Sequence, residues 1–250
     1  IIFHEYAIDC AQAAHELDIA AVAVSAGYVC PEPRAEFYAH MDAANIDLKA
    51  FTEAFYKTLC GGELEAVKDT IRYIKHETDV WLELTTLVIP GHNDSEQELH
   101  ALCEWVMQDL GPDVPIHFTA FHPDWKMRDL PRTPTSTLVQ ARDIAKQHGI
   151  HYPYIGNVMT DDGANTHCPN CNKLVIGRQN YTVTSWQLDH GSCQHCDHPI
   201  AGVFDTDPAR LAQFCDFWKL PAGATQDALL ADLPKGSVVL NLTNPSAHSA

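Results

Sequence analysis

Apolar and polar positions along this chain change period repeatedly, and each change marks an element. Phe3, Ala7, Cys10, Ala14 and Leu17 recur every three or four residues, which predicts an opening helix with those side chains on its buried face. Ile19 to Ala26 is a short apolar run ending at Gly27, the pattern of a buried strand. Pro31 to His40 reads as a helix with proline in its first turn, where a missing N–H costs nothing. Ala44 to Lys49 reads as a strand, and Leu64, Val67, Ile71 and Ile74 set the apolar stripe of a helix over Glu63 to His76.

Val80 to Ile89 is rich in apolar and β-branched residues and stops at Pro90-Gly91, a strand and its turn. Asn93, Asp94 and Ser95 offer caps for a helix ending near Leu110. Pro115 to Phe121 is the next strand, His122 to Pro134 a proline-rich loop, Thr135 to Gly149 a helix, and His151 to Ile155 a last strand. Strand and helix alternate five times, so the class is α/β, with parallel strands joined by right-handed crossovers. The series opens on a helix, so a strand is expected upstream of it. After the turn-rich stretch at Asp161 the pattern shortens and organises around cysteine pairs. Beyond Phe204 a tail shows one helical pattern, Pro208 to Trp218, and an apolar SVVLNL stretch.

Those pairs are Cys168-x2-Cys171 and Cys193-x2-Cys196. Two such hairpins close a tetrahedron of thiolates around one metal ion, zinc by default and rubredoxin-like iron as the other choice. Each knuckle needs a left-handed residue after its second cysteine, and Asn172 and Asp197 are types that tolerate that conformation. Four thiolates fill the shell, so His167, His190, His195 and His198 read as solvated loop residues and the site as structural. Between the pairs, TVTSWQL alternates like a strand of a small hairpin.

The strands carry polar residues where covered parallel strands are apolar. Period two puts Asn45, Asp47 and Lys49 on one face and Ile46 and Leu48 on the other. Glu83, Thr85 and Thr86, and then His117, Thr119 and His122, repeat the theme. This is either a ligand site at the C-terminal mouth of a barrel or, for Asp47 and Lys49, an internal ion pair.

Composition narrows the partners. Acidic residues number 33 against 16 basic, and the net charge of −17 repels phosphate backbones, so nucleic acid is not an expected partner. No apolar run approaches the roughly 20 residues of a membrane span. Paired cysteines read as reduced metal ligands, so a cytoplasmic location is expected.

Five stretches carry a family resemblance: NIDLKAF from Asn45, VWLELTTLVIPGHNDSEQEL from Val80, FHPDWKMRDLPRTP from Phe121, YIGNV from Tyr154 and NTHCPNC from Asn165. In that order they resemble the radical S-adenosylmethionine (radical SAM) enzymes of the AmmeMemoRadiSam system, relatives of pyruvate formate-lyase activating enzyme. The resemblance implies a partial (β/α)6 barrel over residues 1–158, lacking its first strands. A zinc-ribbon-like or rubredoxin-like module over 159–204 and a tail of unassigned role over 205–250 would follow. It also implies S-adenosylmethionine and a 4Fe-4S cluster as cofactors, with an electron-donor protein as partner. The chemistry would be that of an oxidoreductase: reductive cleavage to a 5′-deoxyadenosyl radical that takes hydrogen from a protein or small-molecule substrate.

By position, Asp47 and Lys49 match the strand bordering the cofactor, and Thr85 with the VIPG turn matches the strand and loop near ribose and adenine. His122 matches the histidine closing that end of the pocket. Ser25 opens the SAG that stands for the family's TNG, with Ala26 replacing a polar residue. The C-x3-C-x2-C trio that holds the cluster is absent from these 250 residues, and so is the methionine-binding GGEP turn. Gly61-Gly62-Glu63 resembles that turn in letters but follows a helix. In the family GGEP directly precedes a segment like Ile1 to Cys10, so the chain is expected to be an N-terminally truncated, inactive fragment. Two other readings stand beside this one. The first is a non-catalytic barrel whose metal ribbon docks on a protein partner. The second is an aldolase or isomerase using Lys49 as a Schiff-base nucleophile, a role that the neighbouring Asp47 disfavours by favouring the charged amine.

Overall fold

The computed structural model describes residues 3–179 and 182–202, and the chain divides into two compact units between Gly163 and Ala164. The expected tail, with its helix over 208–218 and its SVVLNL stretch, lies outside the described residues, as do 203 and 204 of the expected module.

In the first unit, five strands form one sheet: β1 (Val22–Ser25), β2 (Ala43–Asp47), β3 (Trp81–Val88), β4 (Ile116–Ala120) and β5 (Pro153–Gly156). They pair in chain order and every pair is parallel. Right-handed crossovers that always step the same way put every helix on one side of the sheet. The helices are α1 (His4–Glu16), α2 (Pro31–Tyr38), α3 (Glu53–Phe55), α4 (Leu64–Glu77), α5 (Glu96–Trp105) and α6 (Thr135–Gln147). The sheet therefore has a covered face and an open one. Ala44, Ile46, Leu82, Leu84, Ile116 and Phe118 are buried on the covered face against the helix layer. The α4 stripe Leu64, Val67, Ile71 and Ile74 is buried there as its spacing predicts.

Two helical features depart from expectation. The buried residues of α1 are Ile8 and Ala11, with Ala7 packed beside them, whereas Phe3 and Leu17 are each 73% exposed and Cys10 is exposed. The helix carries two apolar arcs, and periodicity alone cannot choose between them. The arc with small residues lies against α2, where alanines allow close approach. The second is π-helical continuation: α5 runs into such a turn at Val106–Leu110, and so does α3, the helix before Gly61, at Tyr56–Cys60. The signals of α3 were local: Thr52 caps it by accepting from Phe55 N–H at 3.3 Å, and Gly61 ends it at φ 67°.

Parallel strands end with unpaired backbone groups, and here three buried polar side chains satisfy them. Thr86 donates its hydroxyl to the Leu48 carbonyl at 2.8 Å. Asn93 donates to the carbonyls of Lys49 (2.6 Å) and Leu87 (2.9 Å) and accepts from Ile89 N–H at 2.6 Å. Thr133 donates to the Val88 carbonyl at 2.5 Å and accepts from Phe121 N–H at 2.8 Å. The loops after β2, β3 and β4 are tied to one another at this end.

The second unit is built from short antiparallel pieces. β6 (Thr166–His167), β7 (Leu174–Gln179) and β8 (Thr182–Trp186) form one sheet, and β9 (Leu188–Asp189) pairs with β10 (Ser192–Cys193). The predicted TVTSWQL strand is present as β8, but its residues are largely exposed, so its alternation does not mark a buried face.

Asn93 generates a stability prediction. Asn93→Ala leaves three strand-end groups without a partner and is expected to cost about 3 kcal/mol in urea unfolding. Asn93→Asp should cost at least as much, because a carboxylate cannot donate to the two carbonyls.

Candidate functional site

Partners in a parallel ladder point to the same side, so register assembles the open face of the sheet. Asn45 lies beside Glu83, Asp47 beside Thr85, Thr85 beside His117, and His117 beside Tyr154. Thr85 donates its hydroxyl to Asn45 Oδ1 at 2.7 Å. Glu83 accepts from Trp81 Nε1 at 3.1 Å and lies 2.8 Å from His117 Nε2, whose ring stacks on Tyr154 at 5.1 Å. A polar band thus runs across β2 to β5 on the side that the helices leave uncovered.

Lys49 stands just past the end of β2 with its backbone held on both sides. Its N–H donates to the Tyr56 hydroxyl at 3.1 Å, and its carbonyl takes the Asn93 amide. The side chain is left to reach back, and Nζ meets Asp47 Oδ2 at 2.7 Å with both groups half-buried. The ion pair named as an alternative from sequence is therefore present. The loop beyond is pinned as well, by Phe51 N–H donating to Glu98 at 2.6 Å; burial pushes the Glu98 carboxyl above its ordinary value. A carboxylate and an ammonium side by side on a partly exposed rim can each also meet an opposite charge from outside.

The structure thus brings Asp47, Lys49 and Thr85 together. His122 is exposed, two residues beyond β4. Ser25 pairs with Ile46 and faces the other way, and its hydroxyl accepts from Gly27 N–H at 3.1 Å. Thr86 also faces the helix layer, where it serves as one of the strand-end ties. Thr119 is buried, its hydroxyl 3.5 Å from the Thr86 carbonyl. Sequence reasoning missed Tyr56, Asn93 and Tyr154. Tyr56 was signalled by its Thr52 cap and Gly61 stop, whereas nothing local marks an asparagine that serves a carbonyl 44 residues away.

In the second unit the sulfurs of Cys168, Cys171, Cys193 and Cys196 lie within 4.8 Å of one another. Cys168 and Cys196 are 3.6 Å apart, and Cys171 and Cys193 3.7 Å. A tetrahedral zinc with bonds of about 2.3 Å separates its sulfurs by about 3.8 Å, so the set fits a single ion. It is too tight for a 4Fe-4S cluster, whose thiolates sit on four different irons. Asn172 and Asp197 take φ 56° and 58°, the left-handed turns that the knuckles require. Each turn is closed by paired backbone bonds, Asn172 N–H to Cys168 O and Asp197 N–H to Cys193 O, both 2.8 Å. Asn170 donates to Cys196 Sγ at 3.5 Å and, with the His198 N–H, draws that thiol down to about 6. The four nearby histidines are not part of the set.

No helix among the described residues is long and apolar enough to cross a membrane. No family model matches the chain. An uncharacterized protein of Methanocaldococcus jannaschii is 36% identical over 201 residues, covering 80% of this chain and 59% of the archaeal protein. The chain thus spans about three fifths of that relative's length. The crystal structure of a domain of pyruvate-formate lyase-activating enzyme from Bacteroides vulgatus matches with a TM-score of 0.55 at 19% identity, covering 62% of this chain and 92% of that domain. The two share a fold, a partial parallel barrel with helices on one side.

Protein expressed with zinc and iron supplied is expected to carry one tetrahedral ion per chain, bound by sulfur alone in X-ray absorption. Cys168→Ser should lower the metal content to near zero and remove the amide-exchange protection of the β7 and β8 residues.

Proposed function

We propose that this chain is the pocket-bearing part of a radical SAM enzyme of the activating-enzyme type, akin to those of the AmmeMemoRadiSam system. The observation carrying the reading is the Asp47–Lys49 pair, held at the C-terminal rim of a partial barrel whose open face is polar. In this reading Asp47 and Lys49 border the bound S-adenosylmethionine at the C-terminal rim, and the methionine end is held by the upstream GGEP turn and cluster. Asn45 and Thr85 turn hydroxyl and amide groups toward the ribose, and exposed His122 closes the β4 side. Tyr56 and Asn93 fix the Lys49 backbone and Asp47 holds its ammonium, so the charge is presented with less freedom to lose on binding. Bound S-adenosylmethionine supplies a radical that takes hydrogen from the substrate.

The reduction needs a 4Fe-4S cluster, and these residues do not fit one. The chain has no C-x3-C-x2-C trio, and its four clustered cysteines fit one ion. We therefore assign the cluster ligands to sequence outside these 250 residues, and expect the chain alone to bind S-adenosylmethionine without cleaving it. An electron-donor protein and a cytoplasmic setting belong to the same reading. The cysteine ribbon holds zinc or iron as a structural centre, because four protein thiolates leave no open coordination position.

Calorimetric titration tests the pocket. S-adenosylmethionine is expected to bind the chain, and Asp47→Asn and Lys49→Met should each weaken binding by about tenfold or more. Thr85→Val should have a smaller effect. A longer protein carrying the cysteine trio, reduced without oxygen, should release 5′-deoxyadenosine. Finding neither bound iron nor that product in it would overturn the reading and favour a non-catalytic barrel with a docking ribbon.

A further inference from the structure

Residues His122 to Pro134 leave the C-terminal end of β4 as a strap with a fastened base and an exposed middle. Thr133 ties its end to β3 and to the start of the strap, and Arg132 donates to the Asn157 carbonyl beyond β5 at 2.8 Å. In the middle, Met127 N–H closes a turn on the Asp124 carbonyl at 2.9 Å, with Trp125 inside it. Among the described residues six non-glycine ones have positive φ; five are Asp, Asn or His, which tolerate that region, and the sixth is Trp125 at φ 43°. The strain does not serve packing, because Trp125 is 75% exposed.

A large ring held out in water by a strained backbone gains little from packing, and residues strained in this way cluster at active sites and ligand clamps. Lys126 Nζ lies 4.3 Å from the centre of the Trp125 ring, so one indole face carries a cation. The strap also holds Arg128 and Arg132, giving three basic residues against Asp124 and Asp129, in a chain of 16 basic and 33 acidic residues. Anions repelled by the rest of the chain meet a favourable charge here. The strap leaves the strand that carries His117, at the strand ends where ligands of parallel sheets collect.

We infer that Trp125 and Lys126 form a substrate contact, and that the substrate is a small molecule combining a flat ring with an anionic group, carboxylate or phosphate. The indole stacks on the ring and the ammonium pairs with the anion. The inference rests on the pocket reading above for its location and adds the class of molecule lying beside the cofactor.

The test follows the Trp125 indole N–H resonance in tryptophan-labelled chain, assigned by its loss in Trp125→Phe. Benzoate and phenyl phosphate are expected to shift it saturably, and their ranking identifies the anionic group. Neutral benzamide, ringless acetate and inorganic phosphate should act only at concentrations about tenfold higher or more. Lys126→Gln should weaken benzoate and phenyl phosphate about tenfold and leave benzamide unchanged. Equal responses to benzoate and benzamide, no saturable shift, or an unaltered Lys126→Gln response would overturn the inference. S-adenosylmethionine titrated into the same sample separates the two claims. Its binding with a silent strap defeats the substrate contact alone. A responding strap without S-adenosylmethionine binding defeats the pocket reading and supports the contact.

Discussion

Where parallel strands end, backbone N–H and C=O groups lose their ladder partners before they reach water. Asn93 resolves this for β2 and β3 together, using both donors and the carbonyl oxygen of one amide. Thr86 and Thr133 extend the same solution to either side. The rim this creates is where a ligand of such a fold would bind, so a stability requirement and a positional one fall on the same residues. Lys49 shows the coupling most directly. Its carbonyl is a structural acceptor, its N–H is held by Tyr56, and its ammonium is one of the charges offered at the rim.

The open face results from chain order. Because β1 to β5 pair consecutively, the helices of the first unit collect on one side, and on the other side Asn45, Asp47, Glu83, Thr85 and His117 stay partly exposed. Polar residues there cost little desolvation, which removes the usual objection to Asn45, Asp47, Glu83 and His117 within parallel strands. They bond to one another across strands and form an ordered surface.

Much of this was legible in the sequence because period and face are local properties. The α4 stripe, the alternation of β2 and the knuckle turns at Asn172 and Asp197 are each decided by residues a few positions apart. What was not legible depends on residues distant in the chain. α1 carries two apolar arcs, and only the position of α2 selects one. Asn93 looks like one of three possible helix caps, and Ser95 takes that role while Asn93 turns inward. Ser25 lies in a motif that suggests a pocket residue, yet its parity with Ile46 turns it to the helix layer. The cysteine spacing was informative because two knuckles have one simple way to share an ion.

The unselected arc of α1 has a consequence for the protein in solution. Phe3, Tyr6 and Leu17, with Ile19 just beyond, leave large apolar side chains in water on a molecule whose net charge is −17. Contact between two copies through that arc would release ordered water, while their like charges oppose the approach. The balance lies with the ionic atmosphere, whose screening length falls from about 10 Å at 0.1 M salt to about 3 Å at 1 M. Raising the salt thus weakens the repulsion between copies while leaving the attraction between exposed apolar side chains in place.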